Sequence, residues 1–399
     1  MMISRDLIIQ DELNNPMFKV IKKRNGLRQG QVFTNHGSLK TPFFMPDATR
    51  GFIKLLSERE VVSTKTPAMV VNTFHLYLQP GLDLIKAAGG IHEFMQCSRP
   101  LLSDSGGYQV FSLIHRSKEM GKIDNDKVTF KSPLNGSKHE LTPEKSIQIQ
   151  FDLGVDMLVC LDDCPPNDFI RTDLEVAVER TIAWAKRCKT EYLKQIKKRK
   201  ISEEQRPLLF CVIQGGAELD LRRHCAKELV KIGFDGYSLG ARPVDADGNF
   251  MAEVLLETAK AIPESAIRFA LGVGTPEDIY RSYLMGWDMF DCVIPTREGR
   301  HGRLFCFKTD FTGFTKLEKL GQPIISAPEF YETKNISNAI WMNDFSPINP
   351  NSKIPELRHY TKAYLHHLFR LNEGLGQKLA SLNNLEFFAD LMDYLRKIK

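Results

Sequence analysis

The sequence predicts an α/β protein: a (β/α)8 TIM-type barrel with an inserted hairpin and a helical C-terminal appendage. Three observations predict it. Eight short apolar runs follow one another along the chain with little alternation, as expected of parallel strands buried on both faces. Amphipathic helical patterns lie between many of them. The length of 399 residues accommodates a barrel with additions. A doubly wound sheet shares this alternation, and periodicity alone does not prove closure.

The apolar runs are 41–47, 68–73, 100–105, 157–163, 207–214, 236–240, 267–272 and 290–295. All but the last, which ends in Pro295, end in glycine or a polar residue. Helix starts are marked by Thr142-Pro143-Glu144 and again by Thr275-Pro276-Glu277. In both, Thr can cap, Pro suits the first helical position and an acid favours the first turn. Apolar residues at helical spacing predict helices over 173–196, 217–232 and 252–262. The connection over 112–143 is too long for a simple loop. Its Val128-Thr129-Phe130 stretch and Asn135-Gly136 turn predict the inserted hairpin. These signals divide the chain into an N-terminal extension (1–16), the barrel (17–306) and the appendage (307–399), with helices expected over 360–371 and 379–398.

Composition suits an ordinary globular protein, with 42% hydrophobic and 26% charged residues. The net charge of +5 leans weakly toward a polyanionic partner. The basic run 194–200 reads as the solvated end of a helix, whereas Arg297, Arg300 and Arg303, around Gly299 and Gly302, are better candidates for phosphate contacts. The eight cysteines follow no disulfide spacing, which points to a reducing compartment. No apolar run approaches a membrane span, and residues 1–15 lack a signal-peptide core. A cytoplasmic protein with no membrane partner is expected.

In such a barrel the reactive groups sit at the C-terminal strand ends. Those ends offer Asp47, Asn72, Asp104, Asp162, Asp163, Gln214 and Gly240, with Asp291 inside the last run. Any one Asp there is more often a cap or turn residue; several at corresponding ends form a carboxylate rim. Asp, Gln and a backbone N–H together match the donor–acceptor edge of guanine. Tyr108 could stack on a base. One carboxylate could attack a sugar C1′ while a second manages protons.

The segment Ser103-Asp104-Ser105-Gly106-Gly107-Tyr108-Gln109-Val110-Phe111-Ser112 strongly resembles the signature of tRNA-guanine transglycosylases (queuine tRNA-ribosyltransferases), as does Phe290-Asp291-Cys292-Val293-Ile294-Pro295-Thr296-Arg297 followed by Gly299-Arg300. Asn72-Thr73-Phe74-His75-Leu76, Gly136-Ser137-Lys138-His139, Gln214-Gly215-Gly216 and Gly272-Val273-Gly274-Thr275-Pro276 are further matches, in the family's order. The resemblance implies exchange of the wobble guanine of tRNA for a 7-deazaguanine base, 7-aminomethyl-7-deazaguanine or queuine, in queuosine modification. It implies Asp291 as covalent nucleophile and Asp104 as proton acceptor that also touches the base. Ser105, Gly106, Gly107, Tyr108, Asp162, Gln214, Gly240 and Ala241 would bind the base. Gly272, Val273, Gly274, Thr275, Pro276, Glu277 and Asp278, with Thr296, Arg297, Glu298, Gly299 and Arg300, would hold the anticodon loop. A homodimer is a candidate assembly on the same ground. Cys164 reads as a small apolar filler, and His75 and His139 as hydrogen-bonded structural histidines.

The sequence departs from the family at two places. The family's zinc cluster of three cysteines and a histidine falls on Ser352, Ile354, Leu357 and Asn383, which cannot supply four N or S ligands. No structural zinc is therefore expected there, and base exchange needs no redox cofactor. After the sixth run the chain reads Gly240-Ala241-Arg242-Pro243-Val244-Asp245-Ala246-Asp247-Gly248. By simple count it lacks the family's glutamate, leaving Asp245 or Asp247 to take its place, and the choice of incoming base stays open. Two other readings also stay open: a non-catalytic tRNA-binding subunit, and a transglycosylase acting on another nucleic acid.

Overall fold

The computed structural model describes residues 17–24, 27–165, 169–240, 243–245, 247–314, 323–324 and 326–398. The expected N-terminal extension lies outside the described residues.

Eight parallel strands form the barrel: β1 (Phe43–Pro46), β2 (Met69–Asn72), β3 (Leu101–Asp104), β4 (Met157–Val159), β5 (Leu208–Ile213), β6 (Gly236–Leu239), β7 (Ile267–Ala270) and β8 (Met289–Cys292). Their order is β1-β8-β7-β6-β5-β4-β3-β2. A parallel bridge between Asp47 and Val70, reinforced by the Ala48 N–H donating to the Val70 carbonyl at 2.7 Å, joins the two ends. The doubly wound alternative is thereby excluded. The strands are shorter than the apolar runs because each run continues past its last ladder bond into the loop that carries the rim.

Parity along the strands sets the interior. Phe43, Met45, Val70, Leu102, Met157, Val159, Phe210, Val212, Phe269 and Met289 form one buried cluster. Stepping by two along a strand keeps a side chain on the same face. Asp47, Asn72, Asp104, Gln214 and Asp291 continue these rows, so the residues that fill the barrel lower down are followed by its polar rim.

The N-terminal end of the barrel is closed by a three-stranded antiparallel sheet of Phe18–Arg24, Leu27–Thr34 and Gly37–Lys40, which the sequence reading did not anticipate. Phe18, Val32 and Leu39 complete the inner cluster. Arg28 makes a buried two-pronged pair with Asp288, at 2.9 and 2.6 Å, just before β8. Just before β4, Asp156 accepts from His36 at 2.8 Å, lies 3.2 Å from His92 and accepts from the Leu101 N–H at 2.9 Å. The His36 and His92 rings stack at 3.5 Å.

The helices outside the barrel include Pro143–Leu153, Arg171–Arg199, Leu219–Ile232, Ala252–Ala261 and Pro276–Leu284. The Thr142 and Thr275 side chains cap their helices by accepting from the N–H groups of Lys145 and Asp278. The insertion contains the expected hairpin, Val128–Lys131 with Lys138–Leu141, plus a third strand, Gly121–Ile123. No helix among the described residues is long and apolar enough to cross a membrane.

In the appendage, helices Lys362–Arg370 and Gly374–Arg396 lie where the pattern placed them. A strand the reading missed, Arg303–Phe307, crosses the expected boundary at 306 and pairs with Tyr331–Asn335. Phe305, Phe307, Phe387, Phe388 and Tyr331 build an aromatic core under this ribbon. Asn384 ties it to the barrel: its Oδ1 accepts from the Phe305 N–H at 2.9 Å, and its Nδ2 donates to the carbonyls of Pro295 and Arg303, each at 2.9 Å.

Candidate active site

The rim gathers two groups of polar side chains. The first is built on β1, β2, β3 and β8. In the parallel register Asp291 stands opposite Met45, Asp47 bridges to Val70, and Asn72 stands opposite Asp104. Asp47 therefore lies between the strand of Asp291 and the strand of Asn72. Asp291 is 8% exposed, and one of its oxygens accepts from the Gly272 N–H at 2.7 Å. Burial first, then the like charge of Asp47, then that of Asp104, push the Asp291 carboxyl well above the ordinary carboxylate range; the Gly272 N–H acts in the opposite direction.

Asp104 is held on three sides. Asn72 donates at 2.5 Å, the Thr73 N–H at 3.2 Å and the Gly106 N–H at 3.1 Å. Burial, assisted by the charge of Asp47, nevertheless raises it to about 7. Burial raises Asp47 to about 6. The like charges of Asp47, Asp104 and Asp291 oppose one another's ionisation, so all three carboxyls are pushed upward together. Asp47 was visible at a strand end, but sequence reasoning gave it no role; what it lacked was the register that sets Asp47 beside Asp291.

The second group is built on β4, β5 and β6. The Gln214 amide donates to Asp162 at 2.7 Å, and its oxygen is buried with no hydrogen-bond partner among the described residues. Burial raises Asp162 to about 6; the Gln214 hydrogen bond opposes this and the charge of Asp163 adds to it. Gly240 packs flat against the Gln214 amide. A Cβ there would meet Gln214 Cδ at 2.5 Å and Nε2 at 2.6 Å, so only glycine fits. Ala241 lies outside the described residues.

Ser105, Gly106 and Gly107 make the turn from β3 into helix Gly107–Arg116. Gly106 takes φ +77°, and a Cβ would meet the Phe74 N at 2.9 Å, both of which favour glycine. Tyr108 in the first turn is 58% exposed, an open aromatic face beside the rim. Cys164 is half-buried. His139 is hydrogen-bonded to Tyr77 and Ser137 at 3.1 and 2.7 Å, as expected of a structural histidine. Asp245 accepts from the N–H groups of Asp247 and Asn249 within its own turn, and Asp247 is exposed.

Of the segments expected to hold RNA, Gly272 is exposed and Thr275 and Glu277 are half-buried, while Val273, Gly274, Pro276 and Asp278 are buried. Glu277 accepts from the Tyr331 hydroxyl, and Asp278 pairs with Arg281. In helix Ile294–Arg300, Thr296 and Gly299 are buried. A Cβ on Gly299 would meet the Ser381 N at 2.8 Å, so this glycine lets helix Gly374–Arg396 approach. Arg297 and Arg303 both pair with Glu298, at 3.3 and 3.2 Å; Arg300 is in no ion pair among the described residues. The run 194–200 is the end of helix Arg171–Arg199, as read.

At the positions of the family's zinc ligands, Ile354 and Leu357 are buried apolar residues. The Ser352 hydroxyl donates to Glu386 at 2.5 Å, and the Lys353 N–H donates to the other Glu386 oxygen at 2.6 Å. Asn383 donates to the Phe305 carbonyl at 3.0 Å. Two side chains without donor atoms and two already engaged in hydrogen bonds do not fit a tetrahedral zinc.

Residues 23–398 match the family model described as Queuine tRNA-ribosyltransferase. Curated proteins named queuine tRNA-ribosyltransferase are similar over most of their length. The protein from Halothermothrix orenii is 38% identical over 369 residues, 92% of this chain and 89% of its own. That from Lysinibacillus sphaericus is 39% identical over 94% of this chain and 89% of its own, and that from Idiomarina loihiensis 38% identical over 95% and 92%. With its closed barrel and its two rim groups, the chain belongs to the queuine tRNA-ribosyltransferase family.

Proposed function

We propose that this protein is a tRNA-guanine transglycosylase that replaces the wobble guanine of tRNA with 7-aminomethyl-7-deazaguanine or queuine through a covalent aspartyl-ribose intermediate. The observation that carries the reading is the division of the rim: the carboxylates of Asp291 and Asp104, held by backbone and side-chain donors, on one side, and the Asp162–Gln214 pair, with an acceptor unpaired among the described residues, on the other. Family membership supports the transfer reaction and tRNA as the nucleic acid.

The ionised Asp291 oxygen attacks C1′ of the guanosine. The C1′–N9 bond breaks with its electron pair going to the base, and the ribose is held as an ester. Asp104, with a pKa near 7, donates a proton to the departing guanine. The incoming 7-deazaguanine gives its N9 proton back to Asp104 as N9 attacks C1′ and the ester bond breaks. Asp162 and the Gln214 oxygen accept hydrogen bonds from the guanine-type N–H groups, and Tyr108 stacks on the base. Gly272 and Arg297, which are exposed, and the half-buried Arg300 offer the positions for anticodon-loop contact. In the appendage, the Glu386 clasp and the apolar Ile354 and Leu357 take the place of a structural zinc.

The test is incorporation of labelled guanine into tRNA bearing wobble guanine, followed by a chase with either deazaguanine, for wild type and Asp291→Ala. Exchange by wild type alone is expected, and the more efficient chaser identifies the natural base. Folded wild-type protein that binds tRNA yet exchanges no base would move the assignment to a binding subunit. Exchange on DNA in preference to tRNA would move it to another nucleic acid.

A further inference from the structure

Arg222, on helix Leu219–Ile232, is 2% exposed and faces no carboxylate among the described residues. Among the described residues its guanidinium donates only to backbone carbonyls: Nε to Gly216 at 2.6 Å, Nη1 to Ile213 at 3.2 Å and Nη2 to Gly240 at 2.9 Å. Burial lowers its pKa to about 10, so it stays protonated near neutral pH. A buried cation without a counter-ion is costly, and a helix-to-strand packing contact could be made by any apolar side chain. The three carbonyls explain the choice. Two of them bracket Gln214, and the third belongs to Gly240, on which the Gln214 amide rests. The loop also wraps the arginine stem: Gly215 takes φ +138°, and a Cβ there would meet Arg222 Cγ at 2.8 Å. The planar fork of an arginine holds several acceptors in one fixed relation, which a lysine cannot do.

We propose that Arg222 is a positioning residue for base exchange: it locks the end of β5 to the end of β6 and so fixes where the unpaired Gln214 oxygen points, without touching the base. The inference rests on the assignment of Gln214 and Gly240 to base reading given above. Its effect falls on the incoming base rather than on tRNA, because the locked elements carry none of the segments assigned to the anticodon loop.

The test compares full-length wild type, Arg222→Lys and Arg222→Met. The readouts are KM for free guanine, kcat, the fraction of enzyme that can be trapped as covalent tRNA adduct, tRNA affinity by filter binding, and guanine affinity by calorimetry. Loss of one to three charge-assisted hydrogen bonds predicts a KM for guanine raised about tenfold in Arg222→Lys and about a hundredfold in Arg222→Met, with tRNA affinity unchanged. If Arg222→Met does not fold, Arg222→Lys carries the test alone. A wild-type KM in Arg222→Lys, or a loss confined to the trappable fraction, would overturn the proposal. If wild type exchanges no base, the transglycosylase reading fails, and calorimetry decides this one separately: weaker guanine binding by Arg222→Lys supports it, equal or absent binding refutes it.

Discussion

Replacing Asp47 by Asn removes one charge from the acid cluster while keeping the side chain's size. At Asp291 burial is the largest cause of the raised pKa, and the charge of Asp47 is the next. The substitution leaves burial untouched and deletes the second contribution. For like charges about 4–6 Å apart, at an effective dielectric constant of about 20–40, that contribution corresponds to about one to three pH units. A nucleophile reacts in its ionised form, so the rate climbs with pH through its pKa, and lowering that pKa carries the acid limb toward lower pH. Asp47→Asn is thus expected to shift the acid limb of kcat/KM for guanine incorporation down by about one unit or more, and to exceed wild type several-fold below the wild-type midpoint. The measurement is initial rate of label incorporation from about pH 5 to pH 9, with buffers overlapped at constant ionic strength. An acid limb that stays within about 0.3 pH unit of wild type, or moves upward, would refute the assignment of Asp47 as a partner charge of the nucleophile.

Three further outcomes are expected. Glu386→Ala removes the acceptors of the Ser352 hydroxyl and the Lys353 N–H, leaving the hydroxyl its longer contact with the Ile354 carbonyl at 3.4 Å, and should cost roughly 1–3 kcal/mol in denaturant unfolding, whereas a chelator should leave the midpoint unchanged; one zinc per chain in the purified protein would contradict this. Gly240→Ala should raise KM for the base about tenfold and lower stability by roughly 1–3 kcal/mol, since the new methyl overlaps the Gln214 amide; an unchanged KM would show that the amide can move freely. The His92–Asp156 pair should make stability depend on pH at both ends. Burial opposes ionisation of both groups, but the hydrogen bonds of Asp156 and Cys97 raise His92 to about 9, and those of His36 and His92 lower Asp156. The raised histidine contributes fully below about pH 6.5 and is lost as pH rises toward 9. The lowered carboxylate contributes above its ordinary range and is lost on acidification. Asp156→Asn should therefore flatten the fall in thermal midpoint between neutral and alkaline pH; a profile parallel to wild type would rule the pair out as its source.

Much of this molecule was legible before its structure. Eight runs without alternation can be buried only on both faces, which specifies parallel strands under helices, and Thr-Pro-Glu starts and Asn-Gly turns act through local backbone chemistry alone. The place of Asp104, Asp162, Gln214 and Asp291 at the rim was legible because they end, or in the case of Asp291 lie inside, apolar runs that read as barrel strands. The N-terminal sheet was missed because Phe18, Val32 and Leu39, which gain their burial from the barrel floor, stand beside exposed apolar residues such as Val20, Ile21 and Phe33, so that the strands show no clean alternation. The ribbon Arg303–Phe307 with Tyr331–Asn335 was missed because its partners are far apart in the chain. The charge coupling of Asp47 to Asp291, the lock of Arg222 on three carbonyls and the hold of Glu386 on Ser352 each depend on registers and distances between separate elements. Local pattern fixes which elements form and which residues end them. Closure of the barrel alone decides which of those ends meet, because pKa, hydrogen bonding and steric room are set by neighbours remote in sequence.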